Sequence, residues 1–170
     1  KGEVVEGFQL GNSPYHYMDE SLKKKTTVIT TTNGTRAIDL SKEAHQVIVG
    51  SFLNLSAVSD YLLEQNRDVL LLWGGWKGRY NLEGSLFAGA VVKQLLANGF
   101  DAEMADSSSA ALALFDASNN NLNEFLKGSS HRKRLGKLNL EKDIEFCLQT
   151  DYTAQIPVLH EGKLIRLSEL

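Results

Sequence analysis

Apolar and polar positions form alternating blocks along the chain, and four short runs rich in strand-forming residues predict β-strands. Two of them are continuous runs bounded by polar or glycine residues, a pattern typical of strands that are covered on both faces. The predicted strands span residues 26–32, 46–52, 68–73 and 155–159. Continuous runs of this kind favour a sheet with helices packed on both sides.

The segments between the strands carry apolar residues at three- and four-residue spacing, which predicts amphipathic helices. Asn54 is the expected N-cap of one helix, and Asn98-Gly99 is the expected end of another. The predicted helices cover residues 55–65, 82–97, 109–117 and 140–148. Because strands alternate with helices, we expect a three-layer α/β/α fold with a largely parallel or mixed sheet, in a single α/β domain over residues 1–170.

Composition narrows the function classes. The chain has 170 residues, of which 42% are hydrophobic and 23% charged, as in one globular domain that buries a core without disulfides. A net charge of -3 provides no global attraction for nucleic acid or for an anionic membrane. Cys147 is the only cysteine, which excludes an internal disulfide and favours a cytoplasmic setting. We expect a small-molecule partner rather than nucleic acid or a membrane, and a homodimer is compatible with the sequence.

The residues that follow the first predicted strand are candidates for anion binding. Open α/β sheets bind ligands at the carboxyl ends of their strands, and a helix that starts here adds its N-terminal N–H groups. The candidates are Thr31, Thr32, Asn33, Gly34, Thr35 and Arg36, the last able to bind phosphate through two hydrogen bonds. The alternative is a hairpin turn at Asn33-Gly34. The helical spacing of residues 35–45 favours the anion-binding interpretation.

Other polar residues stand near predicted strand or helix ends, and each has a structural alternative. Helix capping, turn formation and a tight surface turn explain these residues as well as ligand binding does. They are Ser51 and Asn54 after the second strand, Lys77 and Arg79 after the third, and Asn12 and Ser13 near the start of the chain. Glu83 follows in the first turn of a predicted helix, where a carboxylate also favours the helix dipole. The chain contains no dinucleotide fingerprint, phosphate loop, HExxH motif or GxSxG elbow.

Five motifs, taken in order, resemble the 2-phosphosulfolactate phosphatase family. They are GF-x-LGNSP at 7–14, TTTNGTRA at 30–37, GSF-x-N at 50–54, LEG-x-x-x-AGA at 82–90 and HRKRLGKLNLEKDIEFC at 131–147. The resemblance implies an α/β fold and a magnesium-dependent acid phosphatase. It also implies the substrate 2-phospho-3-sulfolactate, which such an enzyme converts to sulfolactate, as in coenzyme M biosynthesis.

The residue patterns and the resemblance together suggest a mechanism. The loop from Thr31 to Arg36, with Asn12 and Ser13, holds the substrate phosphate, and Asn33 and Arg36 act there as catalytic residues. Glu83 fixes magnesium or orients water, because Mg²⁺ takes one or two carboxylates together with waters and substrate phosphate. Lys77 or Arg79 meets the sulfonate or the carboxylate of the substrate. Of the four histidines, only His131 is kept as a further candidate.

Three departures from the family pattern support an alternative function. The family's amino-terminal portion has no counterpart before Lys1, Gly84 stands where relatives commonly have Asp, and Gln9 also stands where Asp is expected. The alternative is a non-catalytic module that binds a phospho-anion or an organic acid.

Overall fold

The regular structure combines α-helices with a small antiparallel sheet. The computed structural model describes residues 4, 6–75, 79–101, 103–119 and 121–170. The helices within these residues are α1 (Gly34–Ser41), α2 (Leu55–Gln65), α3 (Leu82–Ala97), α4 (Asp106–Ala117), α5 (Leu122–Phe125), α6 (Ser130–Gly136) and α7 (Glu141–Cys147). The strands are β1 (Pro157–His160) and β2 (Lys163–Arg166). None of these helices is long and apolar enough to cross a membrane.

Helix α3 is the centre of the core and confirms the prediction for residues 82–97. Its side chains Leu86 and Val91 are fully buried, and the helix packs on α2 and most extensively on α4. A Cβ atom at Gly89 would lie 2.1 Å from the carbonyl oxygen of Ala111. The absence of a side chain at Gly89 therefore sets how closely α3 and α4 approach.

Helices α2, α4 and α7 also follow the sequence pattern, and only the last two have shifted ends. Helix α2 starts and ends where residues 55–65 were predicted, and Asn66 follows in the left-handed conformation with φ of 47°. Helix α4 begins at Asp106, three residues before the predicted start, and α7 covers Glu141–Cys147 within the predicted 140–148. The short helices α5 and α6 were not predicted as separate elements.

The sheet is a hairpin extended by one short segment. β1 and β2 pair antiparallel with Val158 opposite Ile165, joined by Glu161-Gly162, where both φ values are positive at 47° and 77°. Residues 47–49 add to the other side of β1: the Val49 N–H donates to the Pro157 carbonyl at 2.8 Å, and the Leu159 N–H donates to the Val47 carbonyl at 2.9 Å. This pairing is antiparallel.

The predicted strands at residues 26–32 and 68–73 are not formed as strands in the structure. Several of their apolar side chains lie open, with Val28 82% and Leu70 85% exposed, whereas Leu71 packs against the core. Within the described residues the strand pairs are antiparallel, so the parallel pairing expected from the sequence is not found there. The physical reason is that these two segments have no strand partner within the described part of the chain.

Candidate functional site

Most of the candidate residues line one cavity of about 2660 Å³. It lies where the segments 26–32, 47–49 and 68–73 lead into the loops that precede α1, α2 and α3. The candidate residues that line it are Asn12, Ser13, Thr31, Thr32, Asn33, Gly34, Ser51 and Glu83. Residues distant in sequence thus share one cleft, as the anion-site hypothesis requires.

The loop before α1 is a helix N-terminus and not a hairpin. Helix α1 begins at Gly34 with Asn33 as its N-cap, so the hairpin alternative at Asn33-Gly34 is wrong. The Thr31 hydroxyl accepts the Thr35 N–H at 3.0 Å, and the Thr35 hydroxyl donates to the Thr31 carbonyl at 2.8 Å. Among the described residues, the N–H groups of Gly34 and Arg36 have no partner. Unpaired N–H groups at a helix start favour an anion.

A hydrogen bond fixes this loop against the loop that follows residues 68–73. The Asn33 side chain donates from Nδ2 to the Gly75 carbonyl at 3.0 Å. A Cβ atom at Gly74 would lie 2.8 Å from Asn33 atoms, and Gly75 has a positive φ of 56°. Both glycines are therefore needed for the approach of the two loops, which explains why glycine occurs at these two positions.

Glu83 is held from two sides at the start of α3. Its Oε1 accepts the Ser129 hydroxyl and its Oε2 accepts the Asn81 side-chain amide, each at 2.8 Å. Next to it, a Cβ atom at Gly84 would lie 2.7 Å from the Trp73 ring. The first turn of α3 thus packs through Gly84 on Trp73, which stands two positions before Gly75.

His131 and Arg134 on α6 complete this side of the cavity. The two side chains are 3.2 Å apart, measured from His131 Nδ1 to an Arg134 terminal nitrogen. Burial lowers the pKa of His131 from its ordinary value; the Glu83 carboxylate raises that pKa, and Arg134 lowers it. Since burial dominates, His131 is neutral at neutral pH and can accept a proton.

The structure does not bring every candidate into the cavity wall. Thr35, Arg36 and Arg79 are exposed, and none of the three lines the cavity. Lys77 lies outside the described residues. Asn54 is buried, and its side chain accepts the Ser51 N–H at 2.8 Å and donates to the carbonyls of Val49 and Gln155 at 3.2 Å and 3.0 Å. These bonds give Asn54 the structural role of tying the start of α2 to the sheet.

Sequence reasoning missed Ser129. Its hydroxyl caps α6 by accepting the Arg132 N–H at 3.1 Å while it donates to Glu83. A serine directly before a helical segment is a recognisable cap signal, whereas its contact with Glu83 leaves no trace in local spacing.

The fold and the cleft define an α/β protein with a polar site at a helix N-terminus, suited to a small phosphorylated ligand. The chain belongs to the 2-phosphosulpholactate phosphatase family, whose model matches residues 1–162. The members of this family are phosphoric monoester hydrolases by name.

Relatives from several bacteria carry the name probable 2-phosphosulfolactate phosphatase. A Thermotoga petrophila relative is 45% identical over 160 residues, covering 94% of this chain and 68% of the relative. A Caldanaerobacter subterraneus relative is 39% identical over 167 residues, covering 98% of this chain and 68% of the relative. A Clostridium acetobutylicum relative is 33% identical over 165 residues, covering 97% of this chain and 70% of the relative.

Proposed function

We propose that this chain hydrolyses 2-phosphosulfolactate, or a similar small phosphorylated organic acid, to the hydroxy acid and phosphate. In this reaction water adds to phosphorus, and the ester P–O bond breaks. The observation that carries the proposal is that the Asn33 loop and Glu83 line the same cavity. The names of the relatives, probable 2-phosphosulfolactate phosphatase, support the substrate.

The phosphate is proposed to lie at the start of α1. The N–H groups of Gly34 and Arg36 and the hydroxyls of Thr31 and Thr32 supply donors, and the Arg36 guanidinium adds a charged pair of hydrogen bonds. Asn33 keeps this loop against Gly75 through the hydrogen bond described above. Hydrogen-bond donors that are already in position before the reaction stabilise the charge that develops on the transferring phosphoryl group.

The other candidate residues are proposed to bind the rest of the substrate and the water. Asn12, Ser13 and Ser51 line the cavity and offer neutral donors to the organic acid. Lys77 and Arg79 are proposed to pair with its sulfonate or carboxylate. Glu83, held by Ser129 and Asn81, is proposed to orient the attacking water.

The donor chemistry at Glu83 is compatible with magnesium. Within the described residues there is no group of three His, Cys, Asp or Glu side chains that could hold a metal. Mg²⁺ needs only one or two carboxylates besides waters and substrate phosphate, and hydrogen-bonded carboxylates are common ligands. Glu83 is a carboxylate, and both of its oxygens accept hydrogen bonds. We therefore propose that it holds the ion. Bound Mg²⁺ would neutralise charge on the phosphoryl group.

We also propose that residues 26–32, 47–49 and 68–73 belong to one largely parallel or mixed sheet of a three-layer α/β/α domain. The apolar runs at 47–49 and 69–73, the strand-forming residues at 26–32 and the crossover lengths through α1 and α2 support this arrangement. A cytoplasmic location is proposed on the single cysteine and the absence of any charge pattern for membrane binding.

The test is a phosphatase assay of the 170-residue chain on a panel of phosphomonoesters that includes 2-phosphosulfolactate, with Mg²⁺ and with a chelator. We expect release of phosphate that the chelator abolishes. Glu83→Gln should lower kcat/KM by on the order of a hundredfold. Glu124→Gln changes an exposed carboxylate on α5 that is paired with Lys127, and it should leave kcat/KM unchanged. Binding of the substrate without turnover would instead support a non-catalytic binding module.

A further inference from the structure

Helix α6 brings a cationic side chain into the part of the cavity wall that contains Glu83. Ser129 binds Glu83 at the start of this helix, and Arg134 follows five positions later and lines the cavity. Arg134 is half-buried. Arg132, also half-buried, donates from its guanidinium to the main-chain and side-chain oxygens of Asn123. The other cavity cations among the described residues are exposed, and they are Lys25, Arg67 and Lys137.

His131 orients the Arg134 guanidinium. A terminal nitrogen of Arg134 lies 3.2 Å from His131 Nδ1. Because a guanidinium only donates hydrogen bonds, Nδ1 is the acceptor, and the neutral imidazole carries its proton on Nε2. Burial lowers the pKa of His131, Glu83 raises that pKa and Arg134 lowers it. The Glu83 carboxylate and the Arg134 guanidinium therefore both lie within electrostatic range of one imidazole ring.

The proposed substrate has an acid group close to its reacting phosphorus. In 2-phosphosulfolactate the carboxylate is attached to the carbon that carries the ester oxygen, whereas the sulfonate is one carbon further away. Glu83 is proposed to orient the attacking water, so the substrate carboxylate comes close to Glu83 during the reaction. Two carboxylates at short range repel each other, and a neighbouring cation offsets that repulsion.

We propose that Arg134 binds the substrate carboxylate and makes the site specific for 2-phosphorylated carboxylic acids. This inference rests on the proposed hydrolysis and names its substrate class. A guanidinium has five N–H donors in one plane, so a two-bond contact with a carboxylate is compatible with the contact to His131. Because Arg134 takes the carboxylate, the cations proposed above for either acid group are left for the sulfonate.

The test compares 2-phospholactate with its primary amide, which has the same shape but lacks the carboxylate charge. The ratio of the two kcat/KM values, measured with Mg²⁺, is the acid preference. We expect the unmodified chain to prefer the acid, and Arg134→Gln to lower this preference by about tenfold or more. Arg134→Lys keeps the charge but loses the planar pair of hydrogen bonds, so it should retain part of the preference.

The matched control is Lys133→Gln. It removes an exposed cation from the same helix, outside the cavity wall, and should leave the acid preference unchanged. A ratio measured on one preparation does not depend on the fraction of folded protein, so partial unfolding of Arg134→Gln does not affect the comparison. Arg134→Lys is a second variant that tests the same contact.

Calorimetry measures the same preference without turnover. The ligands are the phosphonate analogues of the acid and the amide, in which a methylene group replaces the ester oxygen. Binding with an acid preference that depends on Arg134, but without hydrolysis of 2-phospholactate, would refute the reaction and support the contact. Equal losses for acid and amide in Arg134→Gln would show that the guanidinium does not read the carboxylate. That result, no acid preference in the unmodified chain, or no binding of either analogue would overturn the proposal.

Discussion

The hydroxyl of Ser129 donates a hydrogen bond of 2.8 Å to the Glu83 carboxylate, although 46 positions separate the two residues. The same hydroxyl accepts the Arg132 N–H at the start of α6. Ser129 therefore links the first turn of α3 to the helix that carries His131. Because both contacts use one oxygen atom, the orientation of Glu83 depends on how α6 begins.

Replacement of Ser129 should lower the stability of the chain. Ser129→Ala removes a helix cap and a hydrogen bond to a charged group, so we expect the free energy of unfolding to fall by about 1–2 kcal/mol. Ser129→Thr keeps the hydroxyl and should restore most of that loss. Urea denaturation of the three proteins measures the difference. If the alanine and threonine variants are equally stable, the hydroxyl does not have the role assigned here.

Gly84 should resist a side chain because of Trp73. Alanine normally improves a helix by up to about 1 kcal/mol relative to glycine, but a Cβ atom here would lie 2.7 Å from the Trp73 ring. Crowding of this kind costs about 1–3 kcal/mol, so Gly84→Ala should be destabilising overall.

Two measurements check the Gly84 prediction. Thermal denaturation should show a lower Tm for Gly84→Ala, and Trp73 fluorescence, recorded in a Trp76→Phe background, should change as the ring moves. Gly128→Ala is the control, since a Cβ atom there meets nothing within 4 Å. A gain in stability with unchanged fluorescence would show that Trp73 does not restrict this position.

Helices were predictable from the sequence where their signals are local. Helix α3 matches residues 82–97 because its signals are local: apolar residues recur at three- and four-residue spacing, and Asn98-Gly99, where Gly99 has a positive φ, ends the helix. The β2 strand was missed because it has only four residues, and its hairpin depends on positive φ at Glu161.

The pairing of the strands could not be predicted from the sequence. The apolar run at residues 68–73 indicates burial, but a run of this kind contains no information about which strand lies beside it. The candidate site likewise has a part that depends on neighbouring residues and a part that depends on residues far apart in the sequence. The loop before α1 was predicted from adjacent residues, whereas the contact between Glu83 and Ser129 joins distant ones.

Cys147 should react slowly with alkylating reagents although the residue is exposed overall. Burial raises the pKa of its thiol above the ordinary value of 9.0, and the Asp143 carboxylate raises it further. At any given pH below that value, less thiolate is present than in a free cysteine, and the thiolate is the reactive form. The pH profile of the iodoacetamide reaction, followed by mass spectrometry, should therefore be displaced to higher pH.

The contribution of Asp143 to this shift can be separated from burial. Asp143→Asn removes the negative charge and should move the profile part of the way back toward lower pH. Asp60→Asn removes an exposed carboxylate on α2 and should leave it in place. Identical profiles for the Asp143 variant and the unmodified chain would show that burial alone raises the pKa.

Arg36 provides the most direct test of the proposed phosphate site. It is an exposed residue in the first turn of α1, so Arg36→Ala should hardly change thermal stability. If its guanidinium contacts the phosphate, the substitution should lower kcat/KM by on the order of a hundredfold, because a charge-assisted contact strengthens as phosphoryl charge develops. Arg36→Lys keeps the charge but loses the paired hydrogen bonds, and should retain only part of the activity. The matched control is Arg166→Ala, which removes an exposed arginine that lies 3.5 Å from Glu169. Near-normal turnover by Arg36→Ala would exclude the guanidinium from the site and leave the N–H groups of Gly34 and residue 36 as the phosphate donors.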